Sequence, residues 1–134
     1  MMIICLKSVA KQSAPMMTDV TLTDRLPFWI KDTPTLVCRY RVDDCGDYDR
    51  LTVETTGQLI ITCQRCLAQV EHAYEHVSEL LVCRTEEDAD RLMAMGECIV
   101  SQEGMVDLNE ILTDDLYLYS PEKPHEIAKC DVND

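Results

Sequence analysis

Aromatic residues and glycines are scarce in this chain. Among 134 residues there are one Trp, one Phe, five Tyr and four Gly, while hydrophobic residues make up 46%. A core must therefore be built mainly from Leu, Ile, Val and Met, which is an ordinary globular composition and excludes low-complexity or collagen-like classes. A chain of this length can bury roughly two-thirds of its unfolded surface, so we expect a single domain that folds without disulfides.

Long hydrophobic runs are also missing. Charged residues interrupt every candidate before it reaches the ~18 apolar residues that a membrane-spanning helix needs. The opening run Met1–Cys5 has no basic region before it and is too short for the apolar core of a signal peptide. We therefore expect a cytoplasmic protein that makes no contact with a membrane.

Basic residues are few. The chain has twelve Lys and Arg and 25 Asp and Glu, which gives a net charge of −13. Residues 1–66 hold eight basic and eight acidic groups, whereas residues 67–134 hold four basic and seventeen acidic groups. Proteins that bind the phosphate backbone of a nucleic acid usually have clustered Lys and Arg on their surface. The acidic second half instead predicts a surface that faces solvent or a basic partner.

Alternating apolar and polar residues predict a β-hairpin in the middle of the chain. Leu36–Val42 alternates, Asp43–Asp47 has the composition of a turn, and Asp49–Thr55 alternates again. A further strand is expected to begin after Gly57. The segment 68–82 fits both a helical stripe and one side of a strand, and periodicity alone favours the helix.

The strongest helix signal runs from Leu108 to about Tyr119. Asp107 is placed to cap its first amides, and Glu110 is placed to reach back and complete a capping box. Asp115 falls inside the apolar arc of this helix. We expect it to have a structural role, as a buried carboxylate that holds an arginine or a backbone amide against the sheet, although it could also lie at the edge of the arc.

These signals define an α+β fold, with an antiparallel sheet of about four or five strands and the C-terminal amphipathic helix packed on it. A short helix over Glu86–Met95 is also expected. The predicted divisions are a loosely structured N-terminal arm over 1–33, a single α+β domain over 34–121 and a mobile acidic tail over 122–134.

A CxxC motif, Cys63–Cys66, follows the predicted third strand. Two thiolates at this spacing can hold zinc or form a redox pair, and they can also remain reduced in a structural turn. A structural zinc site needs four ligands, and two are missing from the motif. The remaining candidates are His125 and Cys130 in the tail, or His72 and His76 downstream.

Four arginines are candidates for contact with RNA or a partner: Arg65 inside the CxxC motif, and Arg39, Arg41 and Arg50 on the outward faces of the hairpin. The alternative is that they pair with neighbouring carboxylates on the surface. We find no phosphate-binding glycine loop, nucleophile elbow or catalytic zinc motif, and we predict no catalytic residues.

Two motifs resemble the YceD family, the large ribosomal RNA subunit accumulation proteins. The first is the run Gly57–Leu67, in which a glycine and an apolar strand precede Cys-Gln-Arg-Cys, and the second is Gly104–Leu108, which opens a helix carrying Asp115. The resemblance covers roughly Leu36–Cys130. It implies a role in the synthesis, processing or stability of large-subunit ribosomal RNA, without known catalytic residues.

The resemblance also implies that segment 68–82 is a long strand, and we adopt that interpretation over the helix. Some members of the family carry a second CxxC near the C-terminus, where this chain keeps only Cys130. The expected function is that of a non-enzymatic accessory factor for large-subunit (23S) ribosomal RNA. Its partner would be a ribosomal protein, a precursor ribosomal particle or an RNA-processing enzyme, and the large-subunit RNA itself is a further candidate.

Two alternatives stay open at this point. One is a direct RNA-binding protein that uses the four arginines, and the other is a zinc or thiol-redox module centred on Cys63 and Cys66. No cofactor is predicted apart from this possible zinc.

Overall fold

The computed structural model describes residues 2–124. Within that range the chain forms eight strands and three helices. In chain order they are β1 (Ile3–Cys5), α1 (Leu6–Ala10), β2 (Met16–Thr21), β3 (Ile30–Lys31), β4 (Thr35–Asp44), β5 (Tyr48–Thr62), β6 (Gln69–Cys83), α2 (Glu86–Leu92), β7 (Glu97–Val100), β8 (Met105–Asp107) and α3 (Leu108–Tyr119). None of these helices is long and apolar enough to cross a membrane.

The main sheet has six strands in the order β2-β4-β5-β6-β7, with β3 beside β5, and β1 pairs separately with β8. The predicted α+β class is confirmed, but the prediction of four or five purely antiparallel strands is wrong. The strand β7 runs parallel to β6, because α2 carries the chain back between them. Neighbouring parallel strands require such a crossover, and local alternation gives no sign of strand direction.

Strand β5 is continuous where the sequence predicted two strands separated at Gly57. Its first part pairs with β4 and its last part pairs with β3, so one long strand has two different neighbours on the same side. A Cβ at Gly57 would lie 2.6 Å from Cδ2 of Leu36, which is closer than side chains tolerate. Glycine is needed here for close approach, and it does not interrupt the strand.

The N-terminal segment is ordered where the sequence predicted a loose arm. Its described part contains β1, α1, β2 and β3, and β2 pairs along its whole length with β4. Leu6 and Leu22 are fully buried. These elements are short and depend on strands far along the chain, so their own residues carry no sustained periodicity.

One face of the main sheet carries the hydrophobic core. The β1–β8 pair, α1 and α3 cover it, and fully buried residues come from all layers, including Leu36, Leu51, Leu59, Leu112 and Leu116. On the opposite face, α2 packs over one end of the sheet through Leu81, Cys83 and Leu92. We call the remainder of that opposite face, which is exposed along β4, β5 and β6, the open face.

The strand β6 confirms the long strand implied by the family resemblance and excludes the helical alternative. Tyr74 and Ser78 point into the core, while Glu71, Glu75 and Glu79 point to the open face. The alternation follows the period of two expected for a strand with one buried side. Pairing with β5 along fifteen residues decides the conformation over the local helical stripe.

Candidate functional site

The CxxC motif forms the turn between β5 and β6. The Cys63 amide donates to the Ala68 carbonyl (2.9 Å), and the Leu67 amide donates to the Cys63 carbonyl (2.7 Å). Leu67 adopts a left-handed φ of 64° and its side chain is exposed. Cys63 is buried and Cys66 is half-buried. Backbone hydrogen bonds therefore hold this turn in a tight loop.

The CxxC turn contacts the carboxyl end of α3. The Gln64 amide donates to the carbonyl of Glu122 (2.8 Å), just beyond the helix. Nearby, Nε1 of Trp29 donates to Oγ of Ser120 (2.9 Å), and the Trp29 ring meets the edge of Tyr117 with centroids 6.0 Å apart. These bonds tie the turn, the segment before β3 and the end of α3 into one unit.

Asp107 lies at the other end of α3 and caps it as predicted. Its carboxylate accepts from the Asn109 amide (3.0 Å) and from the Met2 amide (3.3 Å), so it also anchors the N-terminal segment. The Glu110 side chain is exposed, and within residues 2–124 it makes no hydrogen bond to Asp107. The second half of the predicted capping box is therefore not formed.

Gly104, the glycine of the second motif, lies against Arg84, which no motif in the sequence marked as a functional residue. Its φ is +72°, and a Cβ there would lie 3.0 Å from Nη2 of Arg84. That same nitrogen donates to Oδ2 of the buried Asp49 (2.6 Å). The ion pair joins the start of β5 to the end of β6, and no spacing in the sequence links these two residues.

Asp115 binds β6, as its structural role requires, but through a different partner from the one predicted. The Oγ of Ser78 donates to Oδ2 of Asp115 (2.6 Å), where an arginine or a backbone amide was expected. Nε2 of His76 lies 4.0 Å from the same oxygen, and the His76 ring stacks on Tyr119 with centroids 3.9 Å apart. Burial raises the pKa of Asp115, although the Ser78 bond and His76 oppose this rise.

Two further ionisable groups lie under the sheet near this carboxylate. Burial, followed by the charge of Asp115, raises the pKa of the Cys38 thiol to about 11. The same two causes, in the same order, raise the pKa of the Tyr74 hydroxyl. Both groups are therefore protonated at neutral pH and serve as core side chains.

The predicted arginine candidates do not gather into one patch. Arg39, Arg41 and Arg50 lie on the open face, and each is close to a carboxylate. The pairs are Arg39 with Glu54 (3.8 Å), Arg41 with Asp43 (3.9 Å) and Arg50 with Glu79 (3.2 Å). Arg65 lies in the CxxC turn, beyond the far end of β5 and roughly 40 Å along the strand from Arg50. Because β5 is continuous over this length, Arg65 lies too far from the other three arginines to form one patch with them.

No group of three or more His, Cys, Asp or Glu side chains within residues 2–124 is arranged to hold a metal ion. His72 and His76 lie on the helix-covered face of β6. His125 and Cys130, the other predicted ligands, lie outside the described residues.

A row of glutamates on the open face was not predicted. Glu71, Glu75 and Glu79 follow one another along β6, all exposed, with Val77 between the last two and 61% exposed. Once the segment is known to be a strand, the spacing of four residues places all three carboxylates on one face. The acidic second half of the chain thus contributes an ordered line of charge to the sheet.

No protein-family model, curated protein or solved structure was found to match this chain.

Proposed function

We propose that this protein is a non-enzymatic accessory factor in the synthesis, processing or stability of large-subunit ribosomal RNA, and that it acts by binding a protein or ribosomal partner. The resemblance of Gly57–Leu67 and Gly104–Leu108 to the YceD family supports the process. Both motifs make structural contacts within the chain: Gly57 and Gly104 allow close packing, and backbone hydrogen bonds of Cys63 and Gln64 fix the CxxC turn.

The observation that favours a protein partner is the distribution of charge along the chain. The entire net charge of −13 resides in residues 67–134, and three of those acids form the row on β6. Such a surface repels phosphate and attracts basic proteins, of which ribosomal particles and their processing enzymes offer many. Association driven by this attraction weakens as salt screens it.

Affinity capture from lysate tests this proposal. The tagged full-length chain, incubated with lysate of its own host at low salt, should recover ribosomal proteins, precursor particles or an RNA-processing enzyme, and recovery should fall in high salt. Deletion of the gene should lower mature large-subunit RNA and leave small-subunit RNA unchanged. Equal loss of both RNAs, or a capture without any ribosomal or processing component, would contradict the proposal.

The two alternative functions have separate outcomes. A direct RNA binder would shift large-subunit RNA in a gel at low salt, and Arg39→Gln/Arg41→Gln/Arg50→Gln/Arg65→Gln would abolish the shift. The pairing of Arg39, Arg41 and Arg50 with carboxylates argues against it. Stoichiometric zinc in protein purified without a histidine tag would instead favour a metal module at Cys63 and Cys66.

A further inference from the structure

The outer edge of β6 is covered along only part of its length. The strand has fifteen residues, and β7 pairs with Leu80–Cys83 alone. Within the described chain, no strand lies beside the remaining eleven residues, Gln69–Glu79, on the side away from β5. Proteins usually cover or shorten such an edge, because its backbone groups can pair with another chain.

The hydrogen bonds at the two ends of β6 show which residues face this edge. The Cys83 carbonyl accepts from the Ser101 amide on the β7 side (2.8 Å), whereas the Ala68 carbonyl accepts from the Cys63 amide on the β5 side (2.9 Å). Backbone groups alternate in direction along a strand, and the pairing with β5 continues without a bulge. The residues that direct N–H and C=O outward are therefore Gln69, Glu71, Ala73, Glu75, Val77 and Glu79.

The same residues direct their side chains to the open face. Each pair of neighbouring glutamates is about 13 Å apart along the strand. In a strand added to this edge, the residues hydrogen-bonded opposite these glutamates would place their side chains on the same face, at close range. The edge thus offers a regular series of backbone donors and acceptors together with three carboxylates in matching register. Glu79 already lies 3.2 Å from Arg50, so a basic partner residue there would share this carboxylate with Arg50.

We propose that this edge, from Glu71 to Glu79, binds an extended basic segment of a protein partner, which adds a strand to the sheet. Lys or Arg side chains at every fourth residue of that segment pair with Glu71, Glu75 and Glu79, and an apolar side chain lies against Val77. The inference rests on the proposed function and specifies the partner's chemistry. Main-chain pairing provides affinity in such complexes, and side-chain charge provides selectivity.

Charge argues against the other occupants of the edge. An antiparallel pairing of two copies centred on Glu75 would set Glu71 of one copy against Glu79 of the other, and Glu75 against itself. Residues 125–134 of this chain contain one Lys and three acidic residues, so they complement the row poorly. Nucleic acid would bring phosphates toward three carboxylates.

A synthetic peptide tests the geometry directly. The probe is a fluorescently labelled ten-residue strand with Lys at every fourth position and Thr or Val elsewhere, titrated against the full-length protein by anisotropy at low salt. Methylating the amides that face β6 should weaken binding at least about tenfold, since each removes a backbone hydrogen bond. Methylating the alternate amides, which face away, should leave the affinity within about twofold.

Two variants with equal change of charge test the side chains. Glu71→Gln/Glu75→Gln/Glu79→Gln should weaken peptide binding by roughly tenfold and flatten its salt dependence. The control Glu87→Gln/Asp90→Asn/Glu103→Gln removes three exposed charges elsewhere and should change binding by less than about twofold. Ala73→Pro removes one outward amide, so it should also weaken binding, and its unfolding curve verifies that the sheet persists.

Several results would overturn the inference. The two methylation patterns could weaken binding equally, or the two charge variants could do so. Sedimentation could show a dimer that Ala73→Pro dissociates, or a peptide of residues 125–134 could bind more tightly than the basic peptide.

The proposed function is tested separately from the edge inference. If lysate capture recovers ribosomal components equally with wild type and the Glu71/Glu75/Glu79 variant, the edge inference fails and the function stands. If the peptide binds but no ribosomal component is captured, the function fails and the edge inference stands.

Discussion

At the scale of single residues, Asp115 shows how an apparent misfit in an amphipathic pattern marks a contact. A carboxylate within the apolar arc of α3 is destabilising unless it finds a donor, and the Ser78 hydroxyl of β6 supplies one at 2.6 Å. The bond fixes the rotation of α3 about its axis relative to the sheet. Burial of this carboxylate raises its pKa, and the Ser78 hydrogen bond opposes that rise.

Replacing Asp115 should separate its hydrogen bond from its charge. Asp115→Ala leaves the Ser78 hydroxyl buried without this acceptor, and we expect the free energy of unfolding to fall by about 2 kcal/mol. Asp115→Asn retains an accepting oxygen and should cost less than half as much at neutral pH. Urea denaturation of both variants measures the difference, and equal losses would show that the hydrogen bond contributes little.

The pH dependence of stability checks the raised pKa of Asp115. A folded-state pKa above the unfolded value of 3.8 means that the folded protein binds this proton more tightly, so stability falls as pH rises from 3.8 through the folded pKa. Asp115→Asn lacks this loss. Its stability relative to wild type should improve with rising pH across that window and then level off. Asp114→Asn, at the exposed neighbouring position, is the control, and identical pH profiles of the two variants would contradict the prediction.

At the scale of secondary-structure elements, α3 is defined by its ends. Asp107 begins it by accepting from the amides of Asn109 and Met2, and Ser120 ends it, with its amide donating to the Leu116 carbonyl. The N-terminal cap was predictable from sequence because capping is local. The Met2 contact was not, since 105 residues separate the two partners.

Substitutions at Asp107 should show both contacts of this cap. Asp107→Ala removes the oxygen that accepts from Asn109 and Met2, so we expect a loss of about 1–2 kcal/mol in the free energy of unfolding. Asp107→Asn keeps a capping oxygen and loses only the charge near the helix N-terminus, at a cost of a few tenths of a kcal/mol. Chemical denaturation distinguishes the two, and an equal loss in both variants would mean that charge, rather than capping, is the stabilising element.

At the scale of the whole molecule, the charge imbalance acts on stability as well as on partners. A net charge of −13 repels itself in the compact state, and part of it lies along one line on β6. Raising NaCl from about 0.01 M to about 0.15 M shortens the screening length from about 30 Å to about 8 Å. We therefore expect Tm to rise over this range.

The triple variant Glu71→Gln/Glu75→Gln/Glu79→Gln serves as the comparison for this effect. It carries three fewer negative charges, so its Tm should rise less with salt than that of wild type. Scanning calorimetry or circular dichroism at several salt concentrations measures both. A wild-type Tm that falls with added salt would show that attractive ion pairs, such as Arg84 with Asp49, outweigh the repulsion.

Local chemistry determined the features that the sequence predicted by itself. The strand β4, the Asp107 cap, the limits of α3 and the turn at the CxxC motif depend on neighbouring residues, so their patterns can be read along the chain. The acidic second half was equally apparent from composition. Whether segment 68–82 was helix or strand was not, because its apolar residues satisfy both periods.

Only the tertiary structure decided how these pieces meet. Pairing with β5 made β6 a strand, the crossover through α2 made β7 parallel, and strand pairs ordered the N-terminal segment. The Asp49–Arg84 pair, the Ser78–Asp115 bond and the outer edge of β6 all depend on residues far apart in sequence. Such contacts arise from sheet register and packing, which local periodicity does not encode.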